Sequence, residues 1–294
     1  MAIDIKSIGV IGAGQMGGGI AQVFAQSGFS VKLSDLDGKV LVKAIDGIRS
    51  RLLRQVKSKR ITHDILEQTL ANIETATDYK IFSKCDLVIE AATENESIKR
   101  KIFEDLTPIL RDDALLATNT SSISITRLAS STDRATQFMG VHFMNPVPVM
   151  KLVELIRGIT TDEDTFAAVR TVIDKLDKTT VVSEDFPAFI VNRVLLPMIN
   201  EAIYTLHEGV ASVADIDNAM KLGANHPSGP LELADFIGLD TCLSIIRVLN
   251  EGFADTKYRP CPLLVKYVDA GWLGRKTGRG FYDYSGATPV PARA

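Results

Sequence analysis

Ile5-Lys6-Ser7-Ile8-Gly9-Val10-Ile11-Gly12-Ala13-Gly14-Gln15-Met16-Gly17 runs from an apolar stretch into a glycine triplet of the form G-x-G-x-x-G, and Asp35 follows eighteen residues after Gly17. Ile8 to Ile11 reads as a strand, and Ile20, Val23 and Phe24 follow at helical spacing, so strand, tight turn and helix come in the order a dinucleotide-binding βαβ unit requires. Each glycine has a separate task. Gly12 permits the turn, Gly14 lets the backbone approach a pyrophosphate, and Gly17 lets the helix pack closely on the strand. Gln15 and Met16 lie inside that turn, where the positive end of the helix dipole favours phosphate. Val31 to Ser34 reads as the second strand. It delivers Asp35, whose carboxylate can accept from both ribose hydroxyls and would repel a 2′-phosphate, which favours NAD over NADP.

Outward from this unit, composition narrows the options. The chain has 294 residues, 46% of them hydrophobic, enough for two domains each with its own core. A formal net charge of −3 argues against nucleic-acid binding through bulk charge. Cys85, Cys242 and Cys261 form no C-x-x-C pair, so buried reduced thiols in a reducing compartment are expected, and no metal site suggests itself. No run approaches the about 20 apolar residues that span a bilayer, and no secretory leader pattern precedes Gly12, so a cytoplasmic protein without membrane contact is expected.

Strand and helix patterns alternate as far as Thr179–Ser183, and only helices follow. The reading is an α/β Rossmann-type N-terminal domain, residues 1–185, with an all-α C-terminal domain, residues 186–294. Thr161 is the expected cap of the helix before the last strand, and the tail from Ser285 is expected to be disordered. Ile190, Val194, Leu195, Met198, Ile199, Ile203 and Leu206 cover more than one face of the first C-terminal helix, which points to a homodimer.

Several residues stand where an open parallel sheet places its ligand crevice, at the carboxyl ends of strands. Glu94 and Lys99 follow the apolar run Leu87–Ala92, although Glu94 serves equally well as a first-turn acid on a helix. Thr120-Ser121-Ser122 ends the next strand, with one serine expected to cap a helix and the other to face substrate. His142 ends a strand ahead of the stiff Asn145-Pro146-Val147-Pro148 segment, and Glu154, twelve residues on, is the lone charge in an apolar strand. A partly buried carboxylate there would orient and tune the imidazole. Arg49, Arg51, Arg54, Lys57, Lys59 and Arg60 crowd one helix. That is an ordinary solvated face, or else a clamp in which Ser50, Arg54 and Lys57 grip one anionic group.

The glycine fingerprint with Asp35, Asn119-Thr120-Ser121-Ser122, the run His142 to Glu154, Asp185 to Arg193, Gly223 to Pro230 and Gly278 to Tyr282 together resemble the L-3-hydroxyacyl-CoA dehydrogenase family, in its short bacterial form acting on 3-hydroxybutyryl-CoA. The likeness covers nearly the whole chain. It implies an NAD cofactor, an acyl-CoA substrate, and a helical domain that dimerises and closes on substrate. By motif it implies His142 as general acid/base, Glu154 as its orienting partner, Ser121 on the substrate and Asn192 near the reacting oxygen. Glu94, Lys99, Asn145 and Lys276 are the implied cofactor contacts, and Ser50, Arg54 and Lys57 the contacts to coenzyme A. The rival readings are a dehydrogenase of free 3-hydroxyacids and a non-catalytic dinucleotide-binding structural protein.

Overall fold

The computed structural model describes residues 3–292, which form two compact units, the first ending at Phe189 and the second beginning at Ile190. The first is built on strands β1 (Ser7–Ile11), β2 (Ser30–Ser34), β3 (Ile73–Ala76), β4 (Leu87–Glu90), β5 (Leu115–Thr118), β6 (Phe138–Phe143), β7 (Leu152–Arg157) and β8 (Thr179–Glu184), ordered β3-β2-β1-β4-β5-β6-β7-β8. Pairing is parallel from β3 to β6, antiparallel between β6 and β7, and parallel again between β7 and β8. Its helices are α1 (Gln15–Gln26), α2 (Gly38–Lys57), α3 (His63–Ala71), α4 (Glu96–Leu106), α5 (Ile125–Ala129) and α6 (Glu163–Asp174).

The period-two alternation of the strands fills a core on each face of the sheet. Leu87, Ile89, Leu115 and Ala117 enter one with Ile20 and Phe24 of α1, whereas Val88 and Leu116 enter the other with Phe103 of α4. All of β4 and β5 is buried, as a strand covered on both faces must be. Because β1 connects to β2 on one side and neighbours β4 on the other, the strand order reverses between β1 and β4 and leaves a crevice at their carboxyl ends.

Asp86 ties the start of β1 to the start of β4, accepting from the Lys6 and Ser7 amides at 2.9 and 2.8 Å and from the Ser7 hydroxyl at 2.9 Å. Burial pushes its pKa up, but these hydrogen bonds and that from Arg111 outweigh it and hold the carboxyl below its usual value. A depressed folded pKa adds stability above the ordinary carboxylate range, and that stability is lost as pH falls through the folded value. Asp86→Asn should therefore lower the melting temperature at pH 7 and lower it much less near pH 3; equal losses at both would refute the assignment.

The second unit holds α7 (Val191–His207), α8 (Val213–Gly223), α9 (Pro230–Ile237), α10 (Leu239–Phe253) and α11 (Pro262–Asp269). Helix α7 continues across Pro197. Asp235, buried on α9, accepts from the Phe281 and Tyr282 amides and the Tyr284 hydroxyl, and so fastens the chain end to the helices. A β-carbon on Gly280 would lie 1.9 Å from Asp235 Oδ1, so only glycine allows this approach.

Four local expectations are corrected. Asp162, not Thr161, caps α6; the Thr161 hydroxyl instead donates to the Phe138 carbonyl. Ser124, not Ser121 or Ser122, caps α5. The tail is ordered as far as it is described, with β9 (Tyr282–Asp283) pairing antiparallel with β10 (Val290–Pro291). The break between units falls after Phe189 rather than Asp185, because Asp185 binds the start of α5 and Phe189 is buried in the first unit's core. The three cysteines are unpaired and buried, and burial pushes the Cys85 and Cys242 thiols up to about 12.

Candidate active site

The glycine turn joins β1 to α1. Gly12 has φ +92°, and a β-carbon there would lie 2.6 Å from Ala92 Cα; one on Gly17 would lie 1.7 Å from the Gly12 carbonyl oxygen. Both positions are closed to any side chain. Gly14, by contrast, has no heavy atom within 4 Å of where a β-carbon would stand, and as N-cap of α1 it makes no side-chain cap. The start of α1 thus offers open space beside uncapped amides, which suits a pyrophosphate.

Asp35 lies at the end of β2. Its Oδ2 accepts from the Ala13 amide at 2.8 Å and its Oδ1 from the Asp37 amide at 3.1 Å, so the carboxylate also braces the glycine turn. Each oxygen can accept more than one hydrogen bond, which leaves room for ribose hydroxyls. Beyond the turn, Gln15 Nε2 donates to Asn145 Oδ1 at 3.0 Å, and Met16 packs on the core.

The carboxyl ends of β4 and β5 carry two separate carboxylate systems. Glu94 Oε1 accepts from the Thr120 hydroxyl (2.7 Å), the Ser121 amide (2.8 Å) and the Ser122 hydroxyl (2.9 Å), so one exposed carboxylate shapes the whole serine loop. Glu90 does its work inside: it is fully buried, with Lys99 Nζ at 2.5 Å, the Thr118 hydroxyl at 2.7 Å and the Ala92 amide at 2.8 Å. Lys99 is therefore half of an internal ion pair, only 1% exposed.

On the neighbouring strands, antiparallel register sets His142 directly opposite Glu154. His142 Nδ1 and Glu154 Oε2 are 2.7 Å apart, with both residues buried, so Nδ1–H donates to the carboxylate and Nε2 is the ring nitrogen left for another partner. Phe189 packs its ring 5.8 Å from the imidazole, centroid to centroid. Asn119 Oδ1 accepts from the Phe143 amide at 2.8 Å and fixes the end of the strand that carries His142. A buried imidazole with one nitrogen tied to a carboxylate is an arrangement for exchanging one proton with a ligand.

On α2, Ser50, Arg54 and Lys57 are exposed. Arg51, one residue from Ser50, instead lines a cavity of about 400 Å³ with Gly14, Gln15, Gly18, Lys43 and Gly47. Its Nε donates to Gln22 Oε1 at 2.7 Å, and burial, then Arg54, lowers its pKa. In the second unit, Asn192 stands on the first turn of α7, and Lys276 Nζ lies 2.5 Å from Asp240 Oδ1. Among the described residues there is no cluster of three or more His, Cys, Asp or Glu able to hold a metal, and no helix is long and apolar enough to cross a membrane.

Residues 7–186 match the model of the 3-hydroxyacyl-CoA dehydrogenase NAD binding domain, and residues 189–284 that of the 3-hydroxyacyl-CoA dehydrogenase C-terminal domain. The chain is 63% identical to a 3-hydroxybutyryl-CoA dehydrogenase of Bradyrhizobium diazoefficiens, with 100% of both chains covered. It is 43% identical to human mitochondrial hydroxyacyl-coenzyme A dehydrogenase, over 96% of this chain and 92% of that one. The crystal structure of (S)-3-hydroxybutyryl-CoA dehydrogenase from Ralstonia eutropha superposes with a TM-score of 0.95 at 49% identity, covering 96% of this chain and 100% of that one.

Proposed function

The chain belongs to the 3-hydroxyacyl-CoA dehydrogenase family and is an NAD-dependent enzyme, and from that premise we propose that it interconverts (S)-3-hydroxybutyryl-CoA and acetoacetyl-CoA with His142 as general acid/base. The observation that carries this reading is the buried His142–Glu154 pair on adjoining strands. The substrate is taken from the relatives' names, since the chain matches 3-hydroxybutyryl-CoA dehydrogenases over its full length.

NAD, when bound, supplies the hydride acceptor, and its reduced form the donor. Gly12, Gly14, Gln15, Met16, Gly17 and Asp35 would hold the dinucleotide, and Asn145 its nicotinamide end. In alcohol oxidation, neutral His142 accepts the 3-hydroxyl proton at Nε2, and the Glu154 carboxylate stabilises the resulting imidazolium through Nδ1. In the reverse direction the imidazolium returns that proton to the oxygen. Ser121 would donate to the same oxygen from a loop that Glu94 holds in shape, and Asn192 is assigned the neighbouring amide on its motif. Glu94 then acts through the serine loop, while Lys99 acts through Glu90. Lys276 is retained as a further cofactor contact on its motif alone.

For the coenzyme A handle, Ser50, Arg54 and Lys57 are assigned on their motif, on the exposed face of α2, whereas Arg51 and Lys43 line the cavity beside Gly14 and Gln15, on the dinucleotide's side of that helix. Arg54→Gln/Lys57→Gln should raise KM for acetoacetyl-CoA about tenfold and flatten its dependence on salt, since screened ion pairs would be lost. Arg51→Gln should leave KM for acetoacetyl-CoA within about threefold and raise KM for NADH instead, since Arg51 lines the cavity at the glycine turn. The reverse ranking would move the handle off the exposed face.

A homodimer through the second unit is part of the same reading. Its support is the apolar exposure of Val194 on α7 and an apolar groove lined by Met198, Ala202, Val210 and Met220. The unpaired buried cysteines support a reducing, cytoplasmic setting. The deciding experiment is NADH oxidation with acetoacetyl-CoA, run beside free acetoacetate and beside NADPH. Turnover with acetoacetate but not the thioester would overturn the substrate assignment, and none with either would overturn catalysis.

A further inference from the structure

The segment after His142 carries Asn145, yet it has little of its own to hold it in place. Of residues 144–150 only Val147 is buried, and Asn145, Pro146, Val149 and Met150 are exposed. Val147 seats against α1 at Gly19, where a β-carbon would come within 2.9 Å of the Val147 Cβ. The Val149 and Met150 amides both donate to the Pro146 carbonyl, closing one turn. This leaves the carbonyls of Val147 and Met150 to find donors elsewhere. Lys178, just before β8, meets both: its Nζ donates to Val147 O at 2.6 Å and to Met150 O at 2.7 Å.

Two hydrogen bonds from one ammonium to both ends of a turn constrain it more than either would alone. From this geometry we propose that Lys178 is a positioning residue for the cofactor: it clamps the 144–150 segment on α1 so that Asn145 is held where the nicotinamide end binds. The proposal rests on the reading of Asn145 as a cofactor contact. Gln15 on α1 donates to the Asn145 side chain, so the amide is tied to the same helix that seats the clamped turn. The charged neighbours of the clamp oppose each other, Lys151 disfavouring the Lys178 ammonium and Asp177 favouring it. Lys151 is engaged by the Asp177 carboxylate, and burial followed by Lys151 lowers the Lys178 pKa. The ammonium is thus held at a cost, as expected of a group retained for its donors.

The test compares Lys178→Met, Lys178→Arg, Asn145→Ala and the Lys178→Met/Asn145→Ala double variant in acetoacetyl-CoA reduction, with melting temperatures measured alongside. Lys178→Met should raise KM for NADH about tenfold while kcat falls no more than about threefold. Lys178→Arg, which keeps two donors, should restore most of the affinity. The double variant should bind NADH no more weakly than Asn145→Ala, because the lysine acts through that amide. A lowered melting temperature with unchanged KM in Lys178→Met, against a raised KM in Asn145→Ala, would make the lysine merely structural and overturn the proposal. An unchanged KM in Asn145→Ala would overturn the reading of Asn145 and the proposal with it.

Discussion

His142→Gln is expected to lower turnover of acetoacetyl-CoA by about 10²–10⁴-fold, the range that a positioned general acid/base contributes, while NADH still binds with near-normal affinity. The side chain lies on β6 and the cofactor turn on β1 and α1, so the substitution leaves the glycine cradle untouched. Glutamine can fill the space and keep a polar contact to Glu154, but it cannot take up and release a proton near neutral pH. Glu154→Gln should reduce turnover less severely. An amide oxygen still accepts from Nδ1–H and keeps the ring oriented, but the negative charge that stabilises the imidazolium is gone. Steady-state kinetics paired with NADH fluorescence titration would check both. If His142→Gln kept most of its activity, the proton-transfer assignment would fail, whereas loss of both activity and NADH binding would point to a damaged fold.

Lys99→Met should destabilise the protein by about 3–5 kcal/mol, because it leaves the fully buried Glu90 carboxylate without its counter-charge. For a unit of this size such a loss lowers the melting temperature by on the order of 10 °C. The Glu90→Gln/Lys99→Met double variant should recover part of the loss, since no buried charge remains unpaired. It will not recover all of it, because Glu90 also accepts from Thr118 and from the Ala92 amide. Thermal melts of the three proteins decide the matter. If Lys99 served only as a cofactor contact, Lys99→Met would melt normally and raise KM for NADH. The pair lies beneath the crevice: Ala92, which Glu90 holds, is the residue against which Gly12 packs. A loosened pair should therefore weaken cofactor binding as well, through the position of the turn.

Lys99 also shows where local reading stops. From the sequence it is a lysine just past a buried strand, in a place that fits a cofactor contact. Only the folded chain shows that Glu90, nine residues earlier, is turned inward to meet it. Ser50 and Arg51 differ by one residue, yet on a helix that is a rotation of about 100°, and it separates an open face from a cavity wall. Ser124 caps α5 where Ser121 or Ser122 was expected, because the Thr120 and Ser122 hydroxyls and the Ser121 amide are drawn to Glu94, twenty-six to twenty-eight residues away in the chain.

What the sequence determined by itself is whatever depends on near neighbours. The glycine turn and Asp35 follow from backbone sterics and charge within one βαβ unit. The alternation of strands with helices, and its end where the helical unit begins, follows from hydrophobic periodicity. The pairing of His142 with Glu154 was legible for the same reason, since two successive strands joined by a short proline-bound turn leave a lone carboxylate few other partners. The tertiary structure alone decided the contacts made across the sheet order: Glu90 with Lys99, Glu94 with the serine loop, Asp185 with α5, Lys178 with the turn after His142. Those partners lie 9 to 61 residues apart in the chain, and which of them meet is set by strand order and helix rotation, quantities that no local pattern of residues encodes.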